Sequence, residues 1–86
     1  MRYGNRENNL ISLLAYASTQ ATWTAATTLA KQTGVAYATV HIYLTRDFFG
    51  QVAYHFRYDY RILRRPHQRV GYGHTYYLSA VSKGYA

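Results

Sequence analysis

Leu10, Leu13, Leu14 and Ala17 recur at intervals of three and four, the spacing of one helix face. They predict a first helix over Arg6–Ser18, with Asn5 or Asn8 to cap it and Glu7 in its first turn. The Thr-rich stretch TQATWT that follows reads as an extended linker, with one short strand at Thr22–Thr24 and Trp23 buried. Thr24 is then placed to cap a second helix, AATTLAKQT, which stops at Gly34, where a left-handed cap is needed. Val40, Leu44 and Phe48, flanked by Tyr37 and Tyr43, predict a third helix over Ala36–Phe48.

After Gly50 the apparent period falls to two. Val52, Tyr54, Phe56, Tyr58, Tyr60 and Ile62 alternate with Ala53, His55, Arg57, Asp59, Arg61 and Leu63. This alternation predicts a half-buried strand with one aromatic face and one charged face. RRPHQRVGYG carries Pro66, Gly71 and Gly73 and reads as a loop, and HTYYLSAV as the returning strand. The expected fold is α+β: a three-helix core with a C-terminal β-hairpin, in one domain over 1–86 with residues 1–5 and 82–86 frayed.

Composition narrows the function. Of the 86 residues 49% are apolar, which is enough to offset the entropy of ordering. No cysteine is present, which excludes disulfides, thiolate chemistry and Cys-based zinc sites and fits a reducing, cytoplasmic setting. The N-terminus lacks the apolar run of a signal peptide, and no stretch approaches the roughly 20 apolar residues of a membrane span. Tyr is abundant, at 11 residues, and its apolar ring with a polar tip suits half-buried surfaces and interfaces.

Charge is placed unevenly. Residues 1–50 hold four Lys and Arg against two acids, whereas residues 51–86 hold six against one. Five of those cations fall between Arg57 and Arg69. A localised basic stripe on a small domain is the footprint of a polyanion binder.

Helix, short strand, helix, Gly turn, helix and basic hairpin, in that order, resemble the winged helix-turn-helix family over about Leu10–Val81. The motif residues are Ala30, which lets two helix backbones approach; Gly34, which tolerates positive φ; and Val35, Val40 and Tyr43 or Leu44, which pin the second helix to the core. The resemblance implies a double-stranded DNA-binding protein, a small transcriptional regulator. Its recognition helix would be 36–48, with Tyr37, Thr39, His41 and Thr45 as the polar groups on offer. Ala36 stands where a Ser or Thr cap is usual, and the residues facing outward near the helix start, Ala36, Tyr37, Ala38, His41, Ile42 and Thr45, include none of the Arg, Lys, Asn and Gln that normally read base edges.

The wing, 58–79 by the same resemblance, is better equipped. Arg64, Arg65 and Arg69, with His67 and His74, would contact phosphates or enter a minor groove, and Arg57 and Arg61 would extend the stripe along one strand face. Histidine gains charge in mild acid, which would tighten phosphate binding. The family also implies a two-fold homodimer, with Ile11 and hairpin tyrosines as contact candidates. The alternatives are a winged-helix protein-interaction module, in which Tyr-rich surfaces bind a protein partner, and a structured-RNA binder.

Other chemistry has little support in the sequence. His41, His55, His67 and His74 show no paired metal-ligand spacing, so no metal or other cofactor is expected. Glu7, Asp47 and Asp59 are scattered, the serines lack a His–acid arrangement, and no glycine-rich phosphate loop occurs, so an enzyme is not expected. Asp59, between Arg57 and Arg61, reads as their charge partner. The Tyr54–Tyr60 stripe reads as core-facing rather than as a base-stacking platform.

Overall fold

The computed structural model describes residues 5–84. Helix α1 (Asn5–Ser18) buries the expected stripe of Leu10, Leu13, Leu14 and Ala17, with Glu7 in its first turn. Strand β1 is two residues long, Thr24–Ala25. Helix α2 (Ala26–Thr33) buries Ala26 and Leu29, and helix α3 (Tyr37–Thr45) buries Val40, Tyr43 and Leu44. A further helix, α4 (Phe49–His55), precedes strands β2 (Tyr58–Pro66) and β3 (His74–Ser82). The sheet order is β1-β3-β2, with both pairings antiparallel. α1 packs on β3, α2 and α4, while α2 packs on α3. The fold is thus α+β, a winged-helix-like arrangement of helices followed by a C-terminal hairpin. No helix among the described residues is long and apolar enough to cross a membrane.

The turn between α2 and α3 follows the expected chemistry. Gly34 has φ +82° and its N–H donates to the Ala30 carbonyl at 2.9 Å. The Thr33 hydroxyl donates to the Leu29 carbonyl at 2.6 Å and accepts from the Val35 N–H at 3.3 Å. Buried Val35 then starts the approach to α3, whose N-cap is Ala36 with no side-chain cap bond.

Several expectations are corrected. The third helix ends at Thr45 rather than Phe48, and the chain reverses through Asp47 at φ +51°. The segment expected to begin the strand is α4, because Phe49, Val52 and Ala53 at intervals of three and one form a buried helical face. Tyr54, which the alternation would send inward, is 88% exposed. Near Ala26, Thr24 lies in β1 and is buried, so Ala25 takes the cap position of α2 without a side-chain bond. Trp23 is half-buried rather than buried. Of the segments expected to fray, Asn5 opens α1 and Ser82 closes β3, while residues 1–4 and 85–86 lie outside the described residues.

The α3–α4 turn is tied to the hairpin by one hydrogen bond. The Tyr60 hydroxyl on β2 donates to Asp47 Oδ1 at 2.6 Å. Burial, together with this bond and the negative charge of Asp47, pushes the Tyr60 pKa up to about 12. Ionisation of Tyr60 is therefore harder in the fold than in the unfolded chain. The stability gained is complete below the ordinary tyrosine value of 10.0 and is lost as pH rises toward about 12. Tyr60→Phe is expected to cost about 1 kcal/mol at neutral pH. Denaturant titrations at about pH 9 and about pH 11.5 should show the variant losing less stability than the parent across that window. Equal losses would contradict the Tyr60–Asp47 tie.

Candidate functional site

Strand alternation divides the cations of β2 between two faces. Tyr58, Tyr60 and Ile62 are half-buried and pack against the core, opposite Ser82, Ala80 and Leu78 of β3. Arg64 and Pro66 continue that face past the core, opposite Tyr76 and His74. Arg61 and Arg65 share the other face with Asp59 and Leu63. β2 runs as far as Pro66, so Arg64 and Arg65 belong to the strand and not to the loop expected there.

The start of α3 meets the hairpin beside Arg64. The His41 ring stands edge-on to Tyr76, with centroids 5.3 Å apart, and Tyr37 lies 5.9 Å from His41. Thr27, Tyr37, Tyr76, His67, Tyr72 and His74 line one groove, which brings the starts of α2 and α3 to the hairpin tip. The sequence placed α3 and the wing separately; the structure brings Tyr37, His41, His67 and His74 together.

The tip, residues 67–73, is braced. The His67 N–H donates to the Gly73 carbonyl at 2.9 Å, and the Tyr72 N–H to the Arg69 carbonyl at 3.2 Å. The Arg69 N–H donates to His67 Nδ1 at 3.0 Å. The Tyr72 ring stacks with His67, 5.1 Å between centroids, and the Arg69 guanidinium lies 5.7 Å from it. Positive φ at Gly71 (+89°) and Gly73 (+76°) closes the loop. Val70 is 99% exposed. Tyr72 was missed as a site residue; its position between two glycines in a polar loop was the available signal.

Other expected site residues lie away from this groove. Arg57 lies outside β2 at φ +63°, and its carbonyl accepts the Lys83 N–H at 2.8 Å. It sits with Tyr54, His55 and Lys83 at the end of the hairpin away from the tip, so it does not share a strand face with Arg61. Asp59 pairs with Lys83 at 3.4 Å, across the hairpin rather than along β2, and this exposed pair adds about 0–1 kcal/mol. The exposed Thr45 hydroxyl donates to the Ile42 carbonyl of its own helix at 3.3 Å, and Thr39 is half-buried. Ile11 is half-buried against the core.

Electrostatically the wing stands uncompensated. Among the described residues the one ion pair is Lys83–Asp59, and Asp47 is engaged by Tyr60. Arg61, Arg64, Arg65 and Arg69 are all exposed. His41, His55, His67 and His74 do not gather with other ligating side chains into a set of three among the described residues. Comparison of the chain with protein-family models, with curated proteins and with solved structures found no match.

Proposed function

We propose that the protein is a winged helix-turn-helix domain that binds double-stranded DNA and acts as a small transcriptional regulator. The observation that carries this reading is the position of Arg69 on a braced hairpin tip and of Arg64 on the strand that leads to it, beside α3, with no acid paired to either among the described residues. α3 lies in the major groove, with its exposed N-terminal residues nearest the bases, and the wing follows the adjacent backbone. Affinity comes mainly from phosphate neutralisation.

Anisotropy of a labelled mixed-sequence duplex, titrated at several salt concentrations, tests this. About four to six phosphate contacts should give a log K against log salt slope of about −3 to −5. Folded protein that leaves the duplex unbound at low salt would refute the reading.

A second reading rests on a different surface. Tyr54, Phe56 and Val81 are 88%, 42% and 61% exposed near the end of the hairpin remote from the tip. Exposed aromatics of this kind favour a protein-interaction module, with a second copy of the chain among its partners.

A further inference from the structure

Resting on the DNA reading, we infer that the outward face of α3 recognises thymine methyl groups, so that A·T-rich duplex is the preferred ligand. Ala38, Ile42 and Thr45 are exposed at positions i, i+4 and i+7, which is one continuous stripe. Ile42 is 42% exposed and has no reason in the fold to be there. Two polar side chains of α3 are engaged within the protein. His41 is held between Tyr37 and Tyr76, and the Thr45 hydroxyl is bonded to its own helix, 3.3 Å from the Ile42 carbonyl.

The stripe itself offers the major groove methyl and alkyl surface. Guanine is read by Arg or Lys and adenine by Asn or Gln, and α3 carries none of these. The first cation after the stripe, Arg46, stands at the C-cap of α3, so the stripe carries no charge of its own. Thymine is the base that presents a methyl group in the major groove, and methyl and alkyl side chains are its complement. The occupant is assigned as DNA because the stripe adjoins the basic wing through one residue: His41, next to Ile42 on α3, touches Tyr76, which pairs with Arg64 on the hairpin.

The test replaces every thymine of an A·T-rich duplex by deoxyuridine, which removes the methyl group and keeps the base pairing. Affinity is measured by anisotropy at fixed salt, for the parent protein and for Ile42→Ser, an exposed position where folding should be unaffected. The parent should bind the deoxyuridine duplex about tenfold more weakly, as the loss of two or so buried methyl contacts gives. Ile42→Ser should bind the thymine duplex more weakly and respond less to deoxyuridine. Equal affinity of the parent for both duplexes, with salt-dependent binding retained, would overturn this inference and leave the DNA reading standing. A deoxyuridine effect undiminished in Ile42→Ser would also overturn it, by placing the methyl contact elsewhere. Failure to bind either duplex would remove the DNA reading itself. A dimer in light scattering that Ile42→Asp dissociates would assign the stripe to a second copy and overturn the inference.

Discussion

Phe49→Ala is expected to destabilise the domain by about 3–5 kcal/mol, the usual cost of emptying a buried aromatic site. Phe49 is fully buried and is the first residue of α4. Its ring lies 6.5 Å from Tyr43 of α3 and 5.7 Å from Tyr60 of β2. One side chain therefore joins the recognition-helix candidate, the added helix and the hairpin. A chain of 86 residues buries a modest core, and domains have only about 5–15 kcal/mol of stability to lose. Denaturation followed by the fluorescence of Trp23 should show the variant unfolded or close to its midpoint without denaturant. A loss below about 1 kcal/mol would mean that α4 does not pack as described, since such a small loss falls far short of a cavity cost.

The second large effect concerns binding. Arg64 and Arg65 are adjacent on β2 and so project to opposite faces of the hairpin. A hairpin whose edge enters a groove meets phosphates on both of its faces, so neither can take over the other's contact. Both are exposed, so Arg64→Ala/Arg65→Ala should fold as the parent does. Each neutralised phosphate adds about 0.9 to the salt slope, so the double variant should flatten it by about two and weaken binding about 60-fold at about 0.1 M salt. Arg57→Gln, at the far end of the hairpin, should change affinity less than about threefold, as a charge about two Debye lengths from the Arg64 contact at about 0.1 M salt would. Parallel slopes for parent and double variant would remove the wing from the interface.

Much of this arrangement is visible in the chain because it is local. The α1 stripe, the Gly34 turn, the uncapped start of α3 at Ala36 and the returning strand follow from spacing and from single residues with strong backbone preferences. α4 was hidden because Val52 satisfies both a period of two and a buried helical face begun by Phe49. Seven residues are too few for periodicity to choose between these. What decides is burial against Tyr43 and Tyr60, a contact made across the fold. Pro66 hid the length of β2, since proline usually marks a loop; β2 is an edge strand, where a missing N–H is tolerated. The cation cluster was legible from charge counts alone. The His41–Tyr76 contact and the Tyr72 brace were not, because each joins residues whose relation exists only once the hairpin has closed.

The central claim is that α3 and the wing form one DNA-binding face. Amide chemical-shift mapping of the labelled protein with an unlabelled A·T-rich duplex tests it most directly. The account predicts shifts concentrated at Tyr37, Ala38 and Ile42 on α3 and at Arg64, Arg65, Arg69 and Tyr72 on the hairpin. Shifts confined to Tyr54, Phe56 and Val81 at the opposite end, or none with folded protein at low salt, would contradict it.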